Sequence, residues 1–310
     1  MRHPVGAGLP AKTSRLQQAF GTLASRLAPF AGKPAPIRGC ALVLAALLVS
    51  GCASVPSPES RNATANELAR SHHWQAQQID SQPFSLKAFR PEQFGDGSRL
   101  TIYLEGDGFA WVTASQPSTD PTPIDPVALR LALAQPNGNA AYLGRPCQYL
   151  KSAACSRNYW TDARFAVEVV ASLDRAVDTL KQQAHAQTLQ LVGYSGGAAI
   201  ALLLAARRND VDSVITVAGN LDHQTWTRFH RVQPLTRSLN PGDFGPALSH
   251  LRQVHLVGAD DPVIPPELTR QFVAEHPSQP AAQIQVMPGY NHHCCWAEHW
   301  SERWSTLDKN

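Results

Sequence analysis

One serine of this chain lies in a sequence setting that could make it a nucleophile. Ser195 is the central residue of Gly-Tyr-Ser-Gly-Gly at 193–197, a G-x-S-x-G pattern. A serine hydroxyl reacts poorly at neutral pH, so it needs a base that takes its proton and a carboxylate that orients the base. Suitable residues follow later in the chain, as two adjacent acids and two adjacent histidines: Asp260, Asp261, His292 and His293. The sequence therefore supplies every side-chain type that acyl transfer to a serine requires.

The residues around Ser195 predict a strand, a sharp turn and a helix. Residues 189–192 are typical of a short buried strand, and residues 198–207, rich in Ala and Leu without Gly or Pro, predict a buried helix. The glycines beside the serine let the strand and the helix approach each other without a Cβ clash. We therefore expect the hydroxyl at the carboxyl end of the strand, over the N-terminus of the helix.

The acids and the histidines occupy the same kind of position. Residues 251–257 and 284–286 predict strands, and the acid pair and the histidine pair follow these two segments. Because neighbouring residues of an extended segment point to opposite sides, only one of the two histidines can reach the serine. Strands that alternate with helices predict the α/β fold class, with a mostly parallel central sheet and helices on both faces.

The strand–turn–helix pattern at Ser195 resembles the nucleophile elbow of the α/β-hydrolase family. The resemblance implies the α/β-hydrolase fold for a single domain at 73–310, in which 220–244 forms either a small cap or an ordinary connection. It also implies the chain order serine, acid, histidine. The family's Gly-x-x-Asp and Gly-x-x-His patterns match Asp261 and His292, with Asp260 and His293 as the alternatives.

The same resemblance implies where an oxyanion hole would lie. One donor would be the backbone N–H of Gly196, the residue after the nucleophile. Another would come from Glu-Gly-Asp-Gly at 105–108, which follows a predicted strand at 100–104. This loop resembles the His-Gly-Gly-Gly loop of lipases and esterases, with Glu in place of His. By position, Asp107 or Gly108 would donate the second hydrogen bond.

The front of the chain has the pattern of a signal peptide. Residues 1–51 contain Lys and Arg but no acid, and 40–49 is an unbroken apolar run, too short to span a bilayer. Val-Ser-Gly-Cys at 49–52 resembles the lipobox of bacterial lipoproteins, which implies lipidation of Cys52 and a membrane anchor. Ala53 then indicates the outer membrane, facing the periplasm, and polar residues at 52–72 predict a flexible tether.

Charge and cysteine content restrict the classes of partner. The formal net charge of the 310 residues is +3, but the signal segment carries this excess, and the mature chain has more acids than bases. A nucleic-acid partner is therefore not indicated.

After Cys40 and Cys52, an even number of cysteines remains in an oxidising compartment, which predicts disulfides among Cys147, Cys155, Cys294 and Cys295. A bridge from the first pair to the second would fix the loop that carries His292.

No cofactor is expected. Consecutive residues such as His-His-Cys-Cys at 292–295 cannot easily converge on one ion, so we predict no metal site. The sequence thus predicts a carboxylesterase-like serine hydrolase that cleaves a small-molecule or lipid acyl ester through an acyl-enzyme in the bacterial cell envelope. The alternatives are a lipoprotein that uses this fold only to bind a ligand, and an acyltransferase.

Overall fold

A mostly parallel sheet organises residues 55–307, the part of the chain that the computed structural model describes. The sheet has eight strands in the order β1-β2-β4-β3-β5-β6-β7-β8. Strands β3 to β8 run parallel, whereas β1 and β2 form an antiparallel hairpin that joins the sheet through β4. The strands are Trp74–Ser81 (β1), Phe84–Pro91 (β2), Arg99–Leu104 (β3), Asn139–Leu143 (β4), Thr188–Tyr194 (β5), Val211–Val217 (β6), Arg252–Gly258 (β7) and Gln283–Met287 (β8).

Helices cover both faces of this sheet, which confirms the predicted fold class. Because successive side chains of a strand point to opposite faces, Ile102 belongs to one buried apolar cluster and Tyr103 to the other. Nearly every residue of β3 and β5 is buried, as expected for strands that are covered on both faces. The helices are Pro58–Ser71 (α1), Val127–Leu133 (α2), Val167–Gln183 (α3), Gly196–Ala205 (α4), His223–His230 (α5), Gly245–Leu248 (α6), Pro266–Glu275 (α7) and Trp300–Leu307 (α8).

Most of the predicted tether at 52–72 is instead the helix α1. Ser57 caps its first turn and Pro58 occupies its first position, where a missing N–H costs nothing. The helix buries only small apolar side chains, so its sequence looks like a polar linker. Arg61 is 5% exposed, donates to the carbonyl oxygens of Asp120 and Thr122, and lies over the ring of Phe109. These contacts order a segment whose composition predicted flexibility.

Two other sequence predictions concern the 220–244 segment and the signal segment at the front of the chain. Residues 220–244 contain the short helix α5 and a 3-10 turn at Pro241–Phe244. The signal segment, the lipobox and Cys52 lie outside the described residues. Within 55–307, no helix has the length and apolarity needed to cross a membrane.

The C-terminal tryptophans dock on the sheet. Trp300 and Trp304 lie on one face of α8 and are 0% and 2% exposed. The indole Nε1 of Trp300 donates a hydrogen bond of 2.9 Å to the hydroxyl of Tyr103 in β3. The α8 helix therefore covers the strand that leads into the 105–108 loop.

Removing the Trp300 side chain should destabilise the whole domain. We expect Trp300→Ala to lower the free energy of unfolding by about 3–5 kcal/mol, because it leaves a cavity and removes the hydrogen bond that the indole donates to Tyr103. Urea unfolding followed by circular dichroism measures this change. The matched control is Ser301→Ala, an exposed position on the same helix; it should stay within about 0.5 kcal/mol of the parent. Equal stability of the two variants would contradict the packing role of Trp300.

Candidate active site

Ser195 lies in a tight turn between β5 and α4. Its backbone has φ 51° and ψ −119°, a conformation that non-glycine residues rarely adopt. A Cβ at Gly193 would lie 2.5 Å from the Cα of Ala198, and one at Gly197 would lie 2.2 Å from the carbonyl oxygen of Leu104. Only glycine at both positions allows α4 to pack so closely against the strands. The turn therefore presents the serine hydroxyl at the carboxyl edge of the sheet.

The side chains of Ser195, His292 and Asp261 form a continuous hydrogen-bonded chain. His292 Nε2 lies 3.0 Å from Ser195 Oγ, and His292 Nδ1 lies 2.9 Å from Asp261 Oδ2. The other carboxylate oxygen of Asp261 accepts hydrogen bonds of 2.8 Å from the N–H groups of Val263 and Ile264. Asp261 is buried, and both of its carboxylate oxygens accept hydrogen bonds, so its orientation toward the imidazole is fixed. This geometry can move a proton from the hydroxyl to the imidazole.

The alternative residues of each pair lie elsewhere. Asp260 is exposed, and its backbone N–H donates to the carbonyl oxygen of Tyr290. His293 points its Nδ1 at the hydroxyl of Tyr194, 3.3 Å away. The rings of His292 and His293 are perpendicular to each other, as expected for neighbours on an irregular segment. Of the two acids and two histidines, the structure brings only Asp261 and His292 into the hydrogen-bonded chain with the serine.

The loop that carries His292 is held by local hydrogen bonds. The hydroxyl of Tyr194, the residue before the nucleophile, donates to the carbonyl oxygen of His292 over 3.0 Å. The side-chain oxygen of Asn291 accepts from the backbone N–H groups of His293 and Cys294, each at 2.9 Å. The indole of Trp296 also donates to the carbonyl oxygen of His292. The backbone that carries the imidazole is therefore held by residues of its own loop and by Tyr194 of β5.

The 105–108 loop packs directly against the nucleophile turn. A Cβ at Gly106 would lie 3.2 Å from the Cβ of Ser195, and a Cβ at Gly196 would lie 2.1 Å from Asp107 Oδ1. Gly108 has φ +66°, and a Cβ there would lie 2.0 Å from the carbonyl oxygen of Pro121. Glycine is therefore required at this position both for conformation and for space. The structure brings Gly196, Asp107 and Gly108 to the side of Ser195, where the resemblance placed an oxyanion hole.

Two arginines that no sequence pattern singles out bind the carboxylate of Asp107. Arg145 approaches Oδ1 at 3.4 Å, and Arg164 approaches Oδ2 at 2.5 Å. Burial on its own raises the pKa of Asp107, but Arg164 and Arg145 outweigh it, so this pKa lies below its usual value. Neither arginine belongs to a recognisable motif, and both lie far from Asp107 in the chain. Only the folded contacts identify them.

Glu105 stands where the His-Gly-Gly-Gly loop that 105–108 resembles has histidine, and it is buried with no ion-pair partner among residues 55–307. It is 1% exposed, and its Oε1 accepts a 2.9 Å hydrogen bond from the N–H of Gly106. Its Oε2 has no hydrogen-bond partner among residues 55–307. Burial raises the pKa of Glu105 to about 7, since the charged form is poorly solvated there.

A cavity of about 430 Å³ adjoins Ser195 and His292. Its wall includes the apolar side chains of Phe109, Pro123 and Ile124. No Lys or Arg and no residue of 220–244 is among the described residues that line it. A larger cavity of about 700 Å³ lies at the opposite edge of the sheet, and none of the candidate catalytic residues lines it. Because Ser195 and His292 line the smaller cavity, we take that cavity as the candidate substrate site.

Each cysteine pair forms a disulfide within its own segment. Cys147 bonds to Cys155, with Cα atoms 5.6 Å apart, and Cys294 bonds to Cys295. Of the pairings that the sequence left open, the structure has the one within each segment, and hydrogen bonds hold the loop of His292. Within 55–307 no cluster of His, Cys, Asp and Glu side chains could hold a metal ion.

Comparison with known proteins identifies the fold. No protein-family model matches the sequence, and neither does any curated protein. Solved structures are similar to it. An α/β serine hydrolase homologue from Coxiella burnetii is 17% identical, with a TM-score of 0.52 over 75% of this chain and 95% of that chain. Est1E from Butyrivibrio proteoclasticus is 15% identical, with a TM-score of 0.52 over 75% of this chain and 97% of that chain. The esterase Pf2001 from Pyrococcus furiosus is 13% identical, with a TM-score of 0.54 over 82% of this chain and 94% of that chain. The chain therefore has the α/β-hydrolase fold.

The raised pKa of Glu105 predicts a pH-dependent difference between the parent and Glu105→Gln. The folded protein keeps the Glu105 proton up to about pH 7, whereas the ordinary pKa is 4.5. This contribution to stability is complete below the ordinary pKa and is lost as the pH rises through about 7. Glu105→Gln lacks this loss, so its stability relative to the parent should increase across that range, by on the order of 3 kcal/mol.

Urea unfolding at a series of pH values between the two pKa values measures this difference. The control is Glu92→Gln, because Glu92 is an exposed acid that follows β2; the difference between its stability and that of the parent should stay nearly constant. A flat difference for Glu105→Gln as well would show that burial does not shift the titration of Glu105.

Proposed function

We propose that this protein is a serine hydrolase that cleaves an acyl ester through an acyl-enzyme. The observation that carries the proposal is the chain of hydrogen bonds from Ser195 through His292 to Asp261, at 3.0 and 2.9 Å. Such an intact chain favours catalysis over a fold that only binds a ligand, because a mere binding site has no need of a buried carboxylate behind an imidazole. The esterases among the structural neighbours support the same class of reaction.

The reaction begins with attack of the Ser195 oxygen on the carbonyl carbon of the ester. His292 Nε2 takes the hydroxyl proton, and Asp261 holds Nδ1–H and stabilises the imidazolium that forms. The carbonyl oxygen becomes negative in the tetrahedral intermediate. The N–H of Gly196 and that of Asp107 or Gly108 donate to it, because all three residues lie beside the nucleophile.

The intermediate then collapses to the acyl-enzyme. The bond to the alcohol oxygen breaks, and His292 gives the proton to the departing alcohol. A water molecule next attacks the acyl carbon, again losing its proton to His292. A second collapse releases the carboxylic acid and returns the proton to Ser195. The net reaction converts ester and water into acid and alcohol, with no change in the protein.

The cavity supports a small, uncharged acyl ester as the substrate class. A volume of about 430 Å³ is at the lower end of the range for small-molecule sites. The apolar wall of Phe109, Pro123 and Ile124 favours an apolar acyl or alcohol group, and the absence of Lys and Arg among the described lining residues disfavours an anionic one. Est1E, one of the structural neighbours, has been solved with ferulic acid bound. An aromatic acyl ester therefore belongs in the substrate panel.

We further propose that the protein acts while anchored by a lipid on Cys52 in the bacterial cell envelope, at the outer membrane and facing the periplasm. The basic front segment, the apolar run and the small residues before Cys52 support this location. Mass spectrometry of the mature N-terminus, with or without an acylated Cys52, tests it independently of activity.

Replacing the nucleophile should abolish hydrolysis without unfolding the protein. We expect the full-length protein to hydrolyse short-chain and aromatic nitrophenyl esters, and Ser195→Ala to lose at least about 10³-fold in kcat. A fluorophosphonate probe should label the parent and not the variant, and circular dichroism should show the same fold for both. Equal rates for the two proteins would remove Ser195 from the mechanism.

The two histidines should differ sharply in their effect. His292→Ala removes the base that lies 3.0 Å from Ser195 Oγ, so kcat should fall by at least about 10³-fold. His293→Ala is the matched variant, because it removes an adjacent imidazole that contacts Tyr194 instead. We expect it to lower kcat by less than about tenfold. A larger loss for His293→Ala than for His292→Ala would exchange their roles.

A further inference from the structure

The 105–108 loop is held from one side by a single segment of the chain. Gln148 is fully buried, and its Nε2 donates a 3.0 Å hydrogen bond to the carbonyl oxygen of Gly106. Arg145 and Arg164, called here the arginine pair, bind the two carboxylate oxygens of Asp107. The Cys147–Cys155 disulfide closes the loop that carries Gln148. All of these partners of the 105–108 loop lie between β4 and α3.

We propose that the arginine pair positions Asp107 and balances the charge of its carboxylate, so that the 105–108 loop can stabilise the negative oxygen of the tetrahedral intermediate. Arg145 and Arg164 are thus positioning residues that act through Asp107. This inference rests on the proposed function and names two further residues for the same reaction.

The need for such a balance follows from where the Asp107 carboxylate lies. Its Oδ1 packs against Gly196, since a Cβ there would lie only 2.1 Å away. It is also close enough to His292 for the two charges to interact. An unbalanced carboxylate at this place would repel the developing oxyanion, and the repulsion would be strong because the surroundings are largely dry. Two guanidinium groups turn this local charge from negative to a net positive one.

The arginine pair is built into the fold and does not face the substrate. The side chains of Arg145 and Arg164 are 5% and 8% exposed, and neither lines the cavity at Ser195. Arg145 lies 5.2 Å from the centre of the Phe165 ring and donates to the carbonyl oxygen of Arg164. Arg164 Nε donates a 2.6 Å hydrogen bond to the carbonyl oxygen of Thr161. These contacts fix both guanidinium groups, so Asp107 is bound to rigid partners and its backbone N–H is held in place.

The decisive comparison uses Arg164→Gln alone and together with Asp107→Asn, in the full-length protein. Arg164→Gln leaves the Asp107 carboxylate with only the more distant Arg145, so kcat should fall about 10- to 100-fold while KM changes less than about threefold. Inhibition by a boronic acid, which forms a tetrahedral adduct with the serine, should weaken by a similar factor. The double variant restores the net local charge, because both introduced amide side chains are neutral and Arg145 remains. Its kcat should exceed that of Arg164→Gln by about fivefold or more.

A matched control separates positioning from general loss of an ion pair. Arg208 is 10% exposed and binds Asp174, Asp178 and Asp210, but it follows the end of α4 that is remote from Ser195. Arg208→Gln should lower thermal stability and leave kcat within about twofold of the parent. Thermal unfolding of every variant shows whether it is folded at the assay temperature. Arg164→Lys, which keeps a positive charge, should retain more activity than Arg164→Gln.

The outcomes distinguish this inference from the proposed function. A parent protein that hydrolyses no ester and is not labelled at Ser195 overturns both. A parent that is active and labelled, with an unchanged kcat in folded Arg164→Gln, overturns only the role of the arginine pair. A double variant no faster than Arg164→Gln also overturns it, since a purely structural contact would give no rescue. Rescue by the double variant, with kcat preserved in Arg208→Gln, supports it.

Discussion

The close approach of α4 to the centre of the sheet is the constraint on which the rest of the site depends. It requires glycine at 193 and 197, because a side chain at either would collide with the backbone of α4 or of β3. The same approach forces Ser195 into its unusual backbone conformation. Such strain persists only when the surroundings over-determine it. Here α4 is buried along its whole length, so its packing maintains the turn.

The loops that meet at this turn are held by different kinds of interaction. Asp261 is fixed by hydrogen bonds to the backbone of its own loop. The loop of His292 is held by the hydroxyl of Tyr194 and by turn-forming hydrogen bonds to Asn291. The 105–108 loop depends on arginines from a distant segment. Because the carboxyl ends of parallel strands lie at one edge of the sheet, these loops converge without any covalent link between them.

The sequence was sufficient for the features that depend on local pattern. Alternating strands and helices predicted the fold class, and the glycines around Ser195 predicted the turn. His292 and Asp261 could be proposed because each follows a predicted strand in a recognisable spacing. The features that the sequence did not reveal depend on contacts between residues that are distant in the chain. The α1 helix is ordered by Arg61 and the 118–122 region, which its polar composition cannot reveal. The arginine pair is likewise brought to Asp107 by tertiary packing, and no spacing in the sequence encodes it.

The acidic character of the 105–108 loop is its main departure from related loops, and the fold neutralises its two acids in opposite ways. Glu105 has no counterion, and burial raises its pKa to about 7, so it can remain uncharged up to that pH. Asp107 stays ionised, because the arginine pair lowers its pKa despite burial. The protonation state of each acid suits the position of that residue. A neutral Glu105 can stay buried without an opposite charge beside it, whereas an ionised Asp107 binds two guanidinium groups next to Ser195. The 105–108 loop can in this way contain two acids, because burial keeps Glu105 protonated and two arginines outside the loop offset the charge of Asp107.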